Sequence, residues 1–208
     1  MKFTQHSVDL VKQISENMES HTFHHHYHIL YDIRNLLGKN PINYVEIGAY
    51  AGGSACLMTS HDLPTNCYSI DIGYPIHPDI PKRNVSKYIK EHNTWEYIQG
   101  NSYVPSTVSI IKDKLSHIDL LFIDGDHSAQ AVVNDFLSYK DLVSPNGYIV
   151  FDDYHDSTHS PGVKIAVDSM VSNNYFEGFE ILGGKFKNKL QAYPLDLEYI
   201  NEFIIKKL

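Results

Sequence analysis

The feature that most constrains this chain is a regular alternation of short apolar runs with amphipathic stretches across residues 43–173. Runs at 44–47, 67–72, 95–99, 118–123 and 148–151 have the length and β-branched or aromatic content of buried strands. Between them, 54–61, 85–91, 104–115, 128–142 and 163–172 carry helical periodicity. In the fourth of these, Val132, Val133, Phe136 and Leu137 are expected to face inward. Strands that alternate strictly with helices pair in parallel through right-handed crossovers, with helices on both faces of the sheet. The run 118–123 (IDLLFI) is the most apolar and is expected at the sheet centre. Residues 144–147 (SPNG) read as a turn and 73–80 as a polar, proline-rich loop.

The flanks read differently. Residues 5–38 are helical in pattern, with Val8, Val11 and Ile14 on one face and Ile29, Leu30, Ile33, Leu36 and Leu37 on another. Gly38 and Asn40-Pro41 close the segment. Residues 1–40 are thus expected to form a helical extension, serving as a lid or in oligomerisation, and 41–208 the α/β domain. Near the end, 179–182 and 190–193 flank Gly183-Gly184 and read as an antiparallel hairpin, with a last amphipathic helix over 197–205. The expected architecture is a doubly wound, mostly parallel sheet of seven strands with an antiparallel C-terminal hairpin.

Composition narrows the function. At 208 residues the chain buries roughly 70% of its unfolded surface, so a core needs no staple. A net charge of −8 disfavours a phosphate-binding face and hence nucleic acid. No run reaches the ~18 apolar residues of a spanning helix, and the first twenty residues have no signal-peptide core. Cys56 and Cys67 lack metal-ligand spacing. A cytoplasmic protein with a small-molecule partner is expected. His24 and His28 have the i, i+4 spacing of helix-borne metal ligands. No third ligand lies nearby, so a packed or solvated helix face is favoured over a zinc site or a substrate lid.

In a doubly wound sheet, ligands bind at the carboxyl ends of the strands. After the first strand comes Glu46-Ile47-Gly48-Ala49-Tyr50-Ala51-Gly52-Gly53-Ser54, a glycine-rich turn into a helix. Tyr50 stands where a pyrophosphate fingerprint needs glycine, so a nucleoside without phosphates fits better. Asp71 ends the second strand, where an acid can accept from both ribose hydroxyls. Gly100-Asn101-Ser102 follow the third. Asp124-Gly125-Asp126-His127 follow the fourth, and Asp152-Asp153-Tyr154-His155-Asp156 the fifth. These carboxylates would repel one another without a cation, and no Lys or Arg stands among them. All-oxygen donors favour a hard divalent ion, with Asp124, Asp152 and Asp153 as its ligands. Asp126 and Asp156 read equally well as caps. His127 is placed to take a proton from a hydroxyl.

Taken together, the glycine turn, Asp71, the FIDGDH run at 122–127 and the SPNGYIVFDDYHD run at 144–156 resemble class I S-adenosylmethionine-dependent methyltransferases. More narrowly, the last two resemble the metal-dependent group of macrocin-type sugar O-methyltransferases and cephalosporin hydroxylase-like proteins. The resemblance implies that Glu46, Gly48, Tyr50, Ser54, Asp71, Asn101, Ser102 and Asp124 bind S-adenosylmethionine. It further implies that Asp124, Asp152 and Asp153 hold a cation such as Mg²⁺, and that His127, with Asp124, carries the catalysis of methyl transfer to a hydroxyl acceptor such as a sugar. A hydroxylase-like enzyme on the same site and a non-catalytic S-adenosylmethionine-binding protein are the competing readings. The amphipathic N-terminal helices could pair subunits.

Overall fold

A computed structural model of the chain describes residues 5–19, 26–38, 41–183 and 201–208. Helices α1 (Gln5–Asn17) and α2 (His26–Leu37) precede the alternating part. There follow β1 (Ile42–Ile47), α3 (Gly53–Thr59), β2 (Thr65–Asp71), α4 (Asp79–Ser86), β3 (Thr94–Gln99), α5 (Pro105–Lys114) and β4 (Ile118–Ile123). The series continues with α6 (Ala129–Tyr139), β5 (Val143–Phe151), α7 (Pro161–Ser172), β6 (Phe179–Gly183) and β7 (Phe203–Lys207). The strands form one sheet in the order β3-β2-β1-β4-β5-β7-β6, with β4 at its centre. Strands β1 to β5 pair in parallel, and β7 runs antiparallel to both β5 and β6.

Side-chain alternation along the strands builds a core on each face. Val45, Ile47, Leu121 and Ile123 pack with Ile111 of α5, Phe136 of α6 and Val167 of α7. Their neighbours Tyr44, Leu120 and Phe122 point the other way and pack with Val11, Ile14, Ile29, Leu30 and Ile33 of the N-terminal helices and Leu57 of α3. The first two helices therefore cover one face of the sheet. His28 is buried on α2, in keeping with a packed helix face, whereas His24 lies outside the described residues.

Five expectations are corrected. Residues 203–205 are strand, not helix: Phe203, Ile204 and Ile205 are buried between β5 and β6, where a short apolar run is the mark of a central strand. The antiparallel partner of β6 is this β7; the expected strand at 190–193 lies outside the described residues. Helix α4 starts at Asp79, directly after Pro78, whose fixed φ suits a helix start, and ends before most of the expected 85–91 segment. The SPNG stretch is not a turn between elements but part of β5, where the register with β4 shifts and Asn146 takes φ 66°. On α6, Leu137 is 45% exposed, while Asp135 turns inward beside Phe136.

Candidate active site

The order of the strands reverses between β1 and β4, and the crevice of such a sheet opens at that point. A cavity of about 380 Å³ lies there. Its walls are Gly48 and Tyr50 after β1, Asp71, Ile72, Tyr74 and Pro75 after β2, Gly100 to Tyr103 after β3, and Asp124 to Asp126 after β4. The volume falls within the range of small-molecule sites.

Backbone conformation shapes the β1 side. Gly48 has φ 92°, Tyr50 φ 45° and Gly52 φ 84°. At Gly48 a Cβ would stand 1.8 Å from the carbonyl oxygen of Asp124, so only glycine lets the two loops pass. Asp71 organises the same turn: its Oδ2 accepts from the amides of Ala49 (2.9 Å) and Tyr50 (3.0 Å), and its Oδ1 from Gly73 (2.6 Å). Asp71 thus lines the cavity and braces its rim.

Glu46 and Ser54 lie beneath the cavity, outside its lining. Fully buried, Glu46 accepts from Tyr44 Oη (2.8 Å), Ser54 Oγ (2.6 Å) and Ser69 Oγ (2.6 Å). This network ties β1, β2 and α3 together below the turn. Asn101 and Ser102 are in the lining, and Ser102 Oγ donates to the buried Asp135 at 2.5 Å. Burial pushes the Asp135 carboxyl up to about 7, a rise the Ser102 bond opposes and Asp126 assists.

The tips of β4 and β5 carry the other half of the site. His127 Nε2 is 3.1 Å from Asp124 Oδ1, and His127 Nδ1 is 2.7 Å from Ser160 Oγ and 3.5 Å from Asp153 Oδ2. Ser160 donates to Asp153 Oδ2 (2.9 Å), and Asn201 Nδ2 donates to Asp153 Oδ1 (2.7 Å). Asp153 sits at φ 55°, a conformation that aspartate tolerates better than most residues. Burial first, then the adjacent Asp152, pushes its carboxyl above the ordinary range, against the pull of Ser160 and His127. Asp152 is itself buried. Next to this pair, Glu202 is 1% exposed, and its Oε2 makes no hydrogen bond among the described residues. Asp126 and Asp156 hold turns, accepting from Ser128 and from Thr158 and His159 respectively.

The expected ligand set is not drawn together as the side chains stand. Among the described residues no three of His, Cys, Asp or Glu meet closely enough to hold a metal ion. His127 lies between two of the expected ligands, with Nε2 3.1 Å from Asp124 Oδ1 and Nδ1 3.5 Å from Asp153 Oδ2. Sequence reasoning missed Ser160, Asn201, Glu202 and Asp135. Ser160 carried a signal, the serine that precedes Pro161 at a helix start; Asn201 and Glu202 were hidden by the helical reading of their segment.

A family model described as a methyltransferase domain matches residues 45–154. The chain belongs to this methyltransferase family. The methyltransferase is 37% identical over 204 residues to the uncharacterised protein R132 of Acanthamoeba polyphaga mimivirus, an alignment that covers 94% of this chain and 92% of R132. Its fold is similar to that of an O-methyltransferase from Bacillus cereus in complex with SAH, with TM-score 0.64, 16% identity, and 99% and 92% of the two chains covered. It is also similar to MycE, a methyltransferase of the mycinamycin biosynthetic pathway solved with Mg, SAH and mycinamycin VI. There the TM-score is 0.61 at 18% identity, with 95% of this chain but only 54% of MycE covered. With the glycine turn, Asp71 and the cavity in place, this is an S-adenosylmethionine-dependent methyltransferase with a Rossmann-like sheet. No helix among the described residues is long and apolar enough to cross a membrane.

Proposed function

We propose that this methyltransferase moves the methyl group of S-adenosylmethionine to a hydroxyl of a small polyhydroxyl acceptor, a sugar being the first choice. The observation that carries the reading is the double placement of Asp124: it lines the donor cavity and contacts His127 at 3.1 Å. The cavity and a proton acceptor therefore meet at one strand tip. The donor's adenosine occupies the cavity, with Asp71 toward the ribose and Asn101 and Ser102 toward the base. The sulfonium methyl faces the Asp124 side. An oxygen of the acceptor forms the new C–O bond as the C–S bond breaks, and the hydroxyl proton passes to His127 Nε2. The products are the methyl ether and S-adenosylhomocysteine. Holding the two reactants in line supplies a large part of the rate, about 7–11 kcal/mol in favourable cases.

A divalent cation such as Mg²⁺ remains part of the proposal on the chemistry of the donor set. Asp124, Asp152 and Asp153 offer only hard oxygen ligands. Among the described residues, burial and neighbouring carboxylates are the main influences that raise the Asp153 and Glu202 carboxyls, and Glu202 keeps a buried oxygen with no hydrogen bond beside them. Those three aspartates would hold the ion, which when bound would act as a Lewis acid on the acceptor hydroxyl. The resemblance of the 122–127 and 144–156 runs to the sugar O-methyltransferases supports the choice of acceptor.

The test is calorimetric titration with S-adenosylmethionine and S-adenosylhomocysteine, with and without Mg²⁺, followed by transfer of a labelled methyl group to a panel of sugars, vicinal diols and catechols. Expected are donor binding and a product heavier by one methyl group. A product heavier by one oxygen, or donor binding with no transfer to any member of the panel, would overturn the reading.

A further inference from the structure

Between the left-handed residues Tyr50 and Gly52, the turn after β1 is held on both sides of one peptide link. The Gly52 amide donates to the Ala49 carbonyl (2.6 Å), and the buried Ala51 carbonyl accepts from Asn84 Nδ2 (2.9 Å). Asn84 belongs to α4 and is itself fully buried. The rest of its amide is spent on a different part of the molecule. Nδ2 also donates to the Glu19 carbonyl (3.3 Å), and Oδ1 accepts from the Glu19 amide (3.2 Å) and from Lys87 Nζ (3.4 Å). Chemistry decides the orientation of this amide. The nitrogen faces two carbonyls and the oxygen faces two donors, so turning it over would break every one of these bonds. Glu19 lies just beyond the end of α1. We infer that Asn84 is a positioning residue that couples the N-terminal helical extension to the donor site. One side chain holds the end of α1 and the backbone of the cavity turn, so each is seated fully only when the other is. The inference rests on the proposed placement of the donor against that turn, and on nothing about the acceptor, His127 or a cation.

The packing of α4 supports the coupling. The turn rests directly on this helix: a Cβ at Gly52 would stand 3.0 Å from Pro81 Cβ and 3.2 Å from Pro81 Cα. Val85, next to Asn84, is buried in one cluster with Val11 and Ile14 of α1. The loop that leads into α4 supplies Ile72, Tyr74 and Pro75 to the cavity wall, so a shift of α4 is felt on two sides of the cavity. Glu19 also pairs with Arg83 at 2.8 Å, but that pair is exposed and adds little. The buried amide dominates, because losing it takes a hydrogen bond from a carbonyl that water does not reach.

The experiment measures amide hydrogen exchange across the full chain with and without S-adenosylhomocysteine, beside calorimetric titration of the same compound. Among the described residues α1 contributes none of the cavity lining. Coupling is reciprocal, so the ligand is nonetheless expected to slow exchange in α1 roughly 5- to 100-fold. In Asn84→Ala and Asn84→Asp that slowing is expected to vanish and affinity for S-adenosylhomocysteine to fall by a similar factor. The Asp variant keeps the volume and an acceptor for the Glu19 amide, but sets an oxygen against the Ala51 carbonyl. Tyr88→Phe removes a different bond between α4 and α1, from Tyr88 Oη to the Gln13 carbonyl (3.4 Å), and is expected to change neither quantity. Exchange in β4, at the sheet centre, separates loss of coupling from loss of fold: it stays slow in a folded variant. If the Ala variant fails this check, the Asp variant carries the test. A folded Asn84 variant that binds within about twofold of the parent protein, or α1 exchange in the parent protein that ignores the ligand, overturns the inference. A parent protein that does not bind S-adenosylhomocysteine sinks the proposed function itself, whereas binding without coupling sinks this inference alone.

Discussion

The two halves of the site are made of different materials. The proposed donor side, after β1 to β3, is shaped largely by backbone: left-handed residues at 48, 50 and 52 and two amides of the β1 turn held by Asp71. The other side, after β4 and β5, where we propose that the proton is transferred, is a mesh of side chains in which Asp124, His127, Ser160, Asp153 and Asn201 hold one another. A backbone-built half tolerates changes of side chain but not of conformation. A side-chain mesh responds to the loss of a single hydrogen-bonding atom. The donor half should therefore fail by not forming, and the other half by forming and not reacting.

The largest expected effect tests the first part of that contrast. Gly48→Ala places a methyl group on the Asp124 carbonyl at a φ of 92°. It is expected to cost about 3 kcal/mol or more and to abolish S-adenosylhomocysteine binding by calorimetry. A variant that binds normally would show the loops to be freer than described. Next is His127→Gln, expected to lower kcat about 10²- to 10⁴-fold while donor affinity stays within about twofold by the same titration. A matching loss of affinity would erase the division between the halves.

Asp135 sharpens the boundary, since it supports Ser102 from beneath the cavity. Its carboxyl is raised from 3.8 to about 7, so the folded state holds the proton more tightly than the unfolded chain. Folding stability should thus fall as pH rises from about 4 to about 7 and level off above. Asp135→Asn is expected to flatten that slope and to gain on the parent protein at alkaline pH, as read from denaturant midpoints across pH. An unchanged slope would remove Asp135 as its source. The smallest effect belongs outside both halves: Leu137→Glu, on an exposed helix position, is expected to change stability by less than about 0.5 kcal/mol.

The same contrast explains what could be read from sequence. Strands β1 to β5 were legible because each is an apolar run with a helix on either side, and β4 was read to the residue. Gly48 and Asp71 were legible because a conformational need or a strand tip limits the residue type. Glu46 and Ser54 were visible as part of the motif, but not their burial beneath it, because a polar side chain in a strand shows no sign of which partners will satisfy it. Leu137 and Asp135 exchanged places because an 11-residue helix with apolar residues at adjacent positions fits two faces almost equally. β7 was mistaken for a helix because Phe203 and Ile204 continue a helical spacing begun outside the described residues, and only pairing with β5 and β6 settles it. Ser160 and Asn201 reach Asp153 from 7 and 48 positions away, a meeting set by tertiary packing alone.

Asn201 has a consequence beyond its one bond. It leads into the strand inserted between β5 and β6, and it grips the carboxylate of Asp153 just after β5. Removing residues 201–208 would therefore do more than take a strand from the sheet: it would slacken the aspartate that faces the imidazole, so in the proposed reaction this segment would act as a tensioner of the site.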